Sequence, residues 1–195
     1  MNKKRLEVEL SKLKSFSDGK IELEQYQTPA EIGAELVWWA YMNGDVSGRK
    51  ICDLGCGNGI LGIGCQMLGG KVVFVDEDPE MIKLVKENGA VGRFIIGDVE
   101  DVKIRCDSVV MNPPFGVQNA HADRKFLEKA FKISSVIYTM HKIESIGFLE
   151  KFCFDNGWKV DAILQRKFRI KRSYEFHTKA MKEIYVGVFR LVRLR

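Results

Sequence analysis

From residue 50 onward the apolar positions of this chain alternate between short unbroken runs and longer stretches with helical spacing. The runs predict strands at 50–55, 71–76, 93–98, 106–112 and 135–141; the stretches predict helices at 59–69, 79–89, 123–133 and 144–157. Unbroken apolar runs suit strands buried on both faces, and intervening helices imply right-handed crossovers, so these strands are expected to lie parallel. Two longer strands, at 159–170 and 182–193, are separated only by a connection containing Ser, Tyr and His, and should pair antiparallel at one edge. Before the sheet, Leu6, Leu10, Leu13 and Phe16 predict an amphipathic helix within 1–18. Thr28-Pro29-Ala30-Glu31 announces a second helix, with Thr28 as N-cap, Pro29 as first helical residue and Glu31 as reciprocal capping carboxylate. Its buried face would be Ile32, Leu36, Trp39 and Ala40, and it should end at Asn43-Gly44. The predicted fold class is α/β: a Rossmann-like, doubly wound, seven-stranded, mostly parallel sheet with an antiparallel edge pair and an N-terminal helical extension. One domain is expected over 1–195, with helices in 1–48 and the core in 49–195.

Composition narrows the setting. A chain of 195 residues with 46% hydrophobic positions can bury a sizeable core. No apolar run approaches the length that spans a bilayer, so no membrane association is expected. Met1-Asn2-Lys3-Lys4-Arg5 begins like a signal peptide, but Glu7, Glu9 and Lys12 interrupt any apolar stretch behind it, and a cytoplasmic location is expected. Cys52, Cys56, Cys65, Cys106 and Cys153 form no Cys-x-x-Cys pair and carry no His at ligand spacing, which predicts packed thiols with neither disulfide nor metal. The net charge of +5 permits an anionic partner.

The chemistry-bearing residues stand at predicted strand ends. Asp53-Leu54-Gly55-Cys56-Gly57-Asn58-Gly59 follows the first strand and opens a helix, where glycines allow sharp turning and close approach to a ligand. Asp53 would repel the pyrophosphate of a dinucleotide at that helix start; a sulfonium with an amino-acid ammonium fits better, and S-adenosylmethionine carries both. Asp76 closes the second strand about twenty residues further on, where an acid binds ribose hydroxyls, although Glu77 and Asp78 make the turn acidic in any case. Asp98, after the third strand, is either an acceptor for an adenine amine or a plain turn aspartate. In open α/β sheets the ligand lies beyond the carboxyl ends of the strands where strand order reverses. If the fourth strand pairs with the first, Gly55 and Asn112 meet there.

Asn112-Pro113-Pro114-Phe115 leaves the fourth strand at that point. Two prolines remove two backbone donors and stop ladder pairing. They hold an acceptor-rich arc, suited to gripping an amine by its N–H bonds while Phe115 stacks on the attached ring. Residues 116–123 read as a polar lid in which His121 is a solvated loop residue. His141 is either an RNA contact or a surface residue.

With these residues in view, the chain resembles the class I S-adenosylmethionine-dependent methyltransferases that carry Asn-Pro-Pro-Phe/Tyr. Within them it resembles the methyltransferase-like protein 5 family, N6-adenine methyltransferases of small-subunit ribosomal RNA. The marks are Leu23-Glu24-Gln25-Tyr26-x-Thr28, the glycine loop, Met67-Leu68-Gly69, Met111-Asn112-Pro113-Pro114-Phe115-Gly116, His141-Lys142 and Ser173-Tyr174-x-Phe176-His177, spanning roughly residues 22–192. The resemblance implies a single methyltransferase domain with cofactor contacts at Gln25, Thr28, Gly55, Asn58, Ile60, Asp76, Asp98 and Val99; the Asn58 side chain is expected to matter little there. It also implies a small zinc-containing activator protein at the third-strand edge, Arg93-Phe94-Ile95-Ile96.

Arg166, Lys167, Arg169, Lys171 and Arg172, followed by Tyr174, Phe176 and His177, interleave cations with rings able to stack on bases, and are expected to contact RNA. The rival activities are protein-glutamine N5 methylation, disfavoured by Phe115 and the basic segment, and DNA adenine methylation, which lacks a recognition domain here. A non-catalytic ribosome-assembly factor is a third alternative.

Overall fold

A computed structural model of the protein describes residues 1–16, 27–114, 122–169 and 183–194. Among the described residues, β1 (Lys50–Leu54), β2 (Lys71–Asp76), β3 (Arg93–Ile96), β4 (Ser108–Met111), β5 (Val136–Lys142), β6 (Trp158–Arg169) and β7 (Glu183–Arg193) form one sheet in the order β3-β2-β1-β4-β5-β7-β6. β1 to β5 are mutually parallel; β7 runs antiparallel between β5 and β6. The predicted topology is therefore present, including the antiparallel edge pair.

Side chains alternate across the pleat, and the inner strands β1, β2, β4 and β5 are buried on both faces. On one face Ile51, Phe74, Val110, Tyr138 and Val188 pack with α1 (Lys3–Leu10), α2 (Ala30–Met42), α3 (Ile60–Met67) and α4 (Pro79–Glu87). On the other, Cys52, Val75, Met111, Ile137 and Leu191 pack with α5 (Ala122–Ile133) and α6 (Ile146–Asp155).

Several boundaries differ from expectation for local reasons. α1 stops at Leu10, where Ser11 turns its hydroxyl onto the Val8 carbonyl, and Lys14 is diverted to Asn88. β3 is two residues shorter because Asp98 caps a 3-10 turn at Val99–Asp101, accepting from the Glu100 N–H. The first turn expected of α6 is a 3-10 turn, Ile143–Ser145. The largest correction is Thr28. It does not cap α2: Pro29 is the N-cap, without a side-chain bond, and the Pro29 carbonyl accepts from the Ile32 and Gly33 N–H groups. Within α2, Ile32, Leu36 and Ala40 are buried as expected, while Trp39 is half-buried and meets Tyr138 edge-on.

The far end of α2 is pinned to the sheet. The Tyr138 hydroxyl donates to the Asp45 carboxylate at 2.6 Å, Arg190 donates to both, and Ser108 donates to the Asp45 carbonyl. Burial, then the Asp45 acceptor, push the Tyr138 hydroxyl well above its ordinary pKa, so it remains a donor.

Candidate active site

Strand order reverses between β1, whose next neighbour is β2, and β4. Asp53 pairs with Val110, so two residues further along each strand Gly55 and Asn112 leave adjacent ends of the sheet. Gly55, Gly57 and Gly59 hold φ of 72°, 53° and 83°, a left-handed conformation costly for any residue with a Cβ. The N–H groups of Gly55 and Cys56 both donate to the Val75 carbonyl at 2.9 Å, folding the loop back onto β2. A Cβ on Gly57 would meet nothing within 4 Å, so the loop backbone is open there. On the Gly55 side the space is filled by Phe126 of α5, 2.7 Å from where a Cβ would stand.

The three acids are placed differently. Asp53 lies wholly beneath the loop, its carboxylate accepting from the Gly62 N–H at 2.8 Å; burial raises its pKa well above the ordinary carboxylate range, against that hydrogen bond. It thus shapes the loop and the start of α3 from below. Asp76 stands at the end of β2 with one oxygen on the Gly57 N–H at 2.8 Å and the other on the Asp78 N–H at 3.0 Å. Burial raises its pKa, and the two N–H bonds oppose the rise. Asp98 is exposed beside buried Val99, and its turn is tied to α5 by Lys125, which meets Glu100 at 2.7 Å, and by Lys129, which donates to the Val102 carbonyl. Ile60 is buried as the first residue of α3.

Asn58 departs from expectation, because its side chain is buried and structural. It donates to the Lys14 carbonyl and accepts from the Ile60 N–H, both at 3.3 Å. Asn88 donates to the Asn58 and Lys14 carbonyls and accepts from the Lys14 N–H. The N-terminal extension is clamped beside the glycine loop.

At the other side of the cleft, the Asn112 side-chain NH2 donates to the Thr28 hydroxyl at 3.0 Å, while its amide oxygen is buried with no partner. Pro113 is buried and Pro114 half-buried. Gln25 and Phe115 lie outside the described residues, as do His121, Lys171, Arg172, Tyr174, Phe176 and His177. Arg166, Lys167 and Arg169 belong to β6, but their side chains are outside the described set.

His141 is neither exposed nor available to RNA, since it is 3% exposed with its Nε2 3.0 Å from the Thr139 hydroxyl and its ring edge-on to Phe189. Burial lowers its pKa from 6.5 to about 4, although the Asp123 carboxylate lies 3.8 Å from Nδ1. That carboxylate would favour the cation, but it stands beyond hydrogen-bonding distance, and desolvation wins. Because the folded pKa is depressed, the unfolded chain takes up the proton first. Stability is full above about pH 6.5 and falls as pH drops toward about 4, by about 3 kcal/mol. Urea unfolding of wild type and His141→Gln between pH 7 and 4 checks this; equal pH slopes for the two proteins would refute it.

β3 is the outer strand on its side of the sheet, with its Ile96 57% exposed and Val91, two residues before the strand, 69% exposed. Its Phe94 stacks on Phe74, under the Lys86 ammonium. Among the described residues no cluster of three or more His, Cys, Asp or Glu could hold a metal ion, and the five cysteines are free. No described helix is long and apolar enough to cross a membrane.

Residues 32–135 match the family described as the methyltransferase small domain. The rRNA N(6)-adenosine-methyltransferase METTL5 of Danio rerio is 30% identical over 205 residues, covering 97% of this chain and 98% of that protein. An uncharacterized protein of Methanocaldococcus jannaschii is 37% identical over 211 residues, covering 100% of this chain and 95% of its own length. The crystal structure of a Pyrococcus horikoshii protein, provisionally described as an RNA methyltransferase, superposes with a TM-score of 0.93 at 42% identity, covering 100% of this chain and 99% of that one.

Proposed function

We infer, because the chain belongs to the methyltransferase small domain family, that it methylates the N6 amine of an adenosine in RNA, and that small-subunit ribosomal RNA is its target. The observation that carries this reading is the Asn112 amide: its NH2 is occupied by Thr28 while its oxygen is buried and unpartnered. A buried acceptor left without a donor costs about 1–3 kcal/mol. A substrate N–H satisfies it. The relatives named as rRNA N6-adenosine methyltransferases support the choice of substrate.

S-adenosylmethionine would supply an electrophilic methyl group on its sulfonium. The open backbone at Gly57, the loop at Gly55–Gly59 and the lone pairs left on Asp76 would hold it, with Ile60, Asp98 and Val99 around its base. Gln25 and Thr28 would close the opposite wall, and Asp53 would act through the loop.

Adenine's amine is a weak nucleophile because its lone pair is delocalised into the ring. Asn112 Oδ1 and the Pro113 carbonyl would accept its two N–H bonds and favour a pyramidal nitrogen. Each such preorganised group is worth about 3–4 kcal/mol at the transition state. Pro114 would stiffen the arc, and a ring at position 115 would be worth roughly 1–3 kcal/mol if stacked on the base. On transfer the sulfonium–methyl bond would break to leave the neutral thioether, and the extra proton on the methylated nitrogen would then pass to water. Arg166, Lys167, Arg169, Lys171, Arg172, Tyr174, Phe176 and His177 would hold the surrounding RNA.

The decisive experiment incubates the protein with labelled S-adenosylmethionine and, separately, deproteinised ribosomal RNA, protein extract and DNA. N6-methyladenosine at one site of the small-subunit RNA is expected; label appearing only in protein or DNA overturns the reading.

The edge of β3 is the proposed seat of a small zinc-containing activator protein, supported by its outer position and by Val91 and Ile96 standing in solvent. Ile96→Asp is expected to abolish co-purification with that partner without lowering the melting temperature. Undiminished co-purification would remove β3 from the interface.

A further inference from the structure

We propose that Thr28 is a positioning residue for methyl transfer, setting which way round the Asn112 amide stands. The proposal rests on Asn112 being the amine acceptor. An Asn side chain presents oxygen or NH2 with nearly the same shape, and only its neighbours decide which. Facing a substrate amine, the two orientations differ completely: oxygen accepts an N–H, whereas NH2 sets donor against donor. The amide is oriented with NH2 on the Thr28 hydroxyl at 3.0 Å and oxygen on the buried, unpartnered side.

The rest of the arrangement narrows the freedom of both residues. Each precedes a proline, Thr28-Pro29 and Asn112-Pro113, and the residue before a proline is confined to extended backbone. Once those backbones are set, rotation of the amide is the main freedom left to Asn112. Thr28 is only 6% exposed, and β-branching restricts its χ1. Its hydroxyl is not used for capping, because the Pro29 carbonyl takes the Ile32 and Gly33 N–H groups itself. A hydroxyl can accept or donate, and in this structure the Thr28 hydroxyl accepts from the Asn112 NH2, which leaves the amide oxygen on the other side. α2 carries Thr28 as a rigid arm, buried along Ile32, Leu36, Val37 and Ala40 and anchored past its far end through Asp45. The N-terminal extension is thereby a working part of the acceptor cradle, reaching a residue 84 positions away.

The test compares Thr28→Val, Thr28→Ser, Asn112→Ala and the Thr28→Val/Asn112→Ala double variant under single-turnover conditions with saturating S-adenosylmethionine. Affinity for S-adenosylhomocysteine and melting temperature are measured alongside. Thr28→Val is expected to slow methyl transfer about 10- to 100-fold, less than the 10²–10³-fold typical of deleting a transition-state partner. Thr28→Ser should restore the rate to within about threefold, and Thr28→Val should add nothing once Asn112 is alanine. If Thr28→Val weakens only cofactor affinity, leaves the saturated rate intact, or slows the Asn112→Ala protein as much as it slows the wild type, the positioning role is wrong. Near-normal turnover by Asn112→Ala alone would instead remove the site reading beneath it. Should Thr28→Val not fold, Thr28→Ala serves in its place with the same expectations.

Discussion

Asn112→Ala is expected to lower the rate of RNA methylation about 10²–10³-fold while leaving the melting temperature and cofactor affinity close to those of the wild type. The kinetic part follows from losing one of two acceptors on an amine that has to give up its conjugation to react. The stability part follows from the hydrogen-bond inventory. Among the described residues the amide makes one bond, to Thr28, worth about 0.5–1.5 kcal/mol. Against it stands a buried oxygen without a partner, costing about 1–3 kcal/mol. Truncation removes both, so the net change is small and can even stabilise. A residue that costs folding energy and is needed only when substrate arrives is characteristic of a catalytic position. Asn112→Asp retains acceptors but loses the NH2, and should fall between alanine and wild type. The checks are single-turnover methylation with saturating cofactor and a thermal melt. Turnover within about threefold of wild type would remove Asn112 from the chemistry.

The parts of this fold legible from sequence are those where local pattern and tertiary role coincide. β1, β2, β4 and β5 are covered on both faces, so their apolar runs needed no knowledge of the partner strand. Their alternation with helices implied parallel strands; that β4 lies beside β1, which brings Gly55 and Asn112 together, is a matter of strand order that alternation alone leaves open. Thr28 shows the limit. Thr-Pro-x-Glu is a capping pattern that competes within four residues, and the bond that prevails goes to a partner across the molecule. His141, next to Lys142 at a strand end, carries the signature of a surface residue; its burial depends on Phe189 and the start of α5, which no local window contains. Asn58 was legible as part of a turn but not as a clamp, since Lys14 and Asn88 come from an extension and a helix end.

These three misreadings share a cause. Thr28 and Asn58 each bond this end of the sheet to a segment distant in sequence, the residues just before α2 and the N-terminal segment, while His141 packs there against Phe189 with Asp123 of α5 at 3.8 Å. α5 extends the pattern, with Phe126 against Gly55 and Lys125 and Lys129 on the turn that holds Asp98 and Val99. α5 therefore packs against both the glycine loop and the turn at Val99–Asp101. Long-range polar bonds in a low-dielectric setting limit how far the two halves of the cleft can drift apart.

Asp76→Ala is expected to weaken S-adenosylhomocysteine binding about 10²–10⁴-fold while leaving the saturated rate of methyl transfer far less affected. Each carboxylate oxygen already accepts one backbone N–H, from Gly57 or Asp78, and retains a lone pair for a ribose hydroxyl. Hydrogen bonds to a charged acceptor contribute about 1.5–3 kcal/mol each, so two account for the range, and release of the Gly57 turn adds to it. Asp76→Asn keeps the shape and one acceptor and should lie between. Acidity supplies an independent check. Burial raises the Asp76 pKa, so the carboxylate protonates at a higher pH than an ordinary one. If the ribose is held by the ionised form, affinity should be full at high pH and fall as pH drops through that raised value, by up to about tenfold per unit. The Asn variant cannot titrate there, and its affinity should stay flat over the same interval. Calorimetric titrations of the three proteins across pH 4–8 test both statements at once, and an alanine variant binding within about threefold of wild type would place the ribose elsewhere.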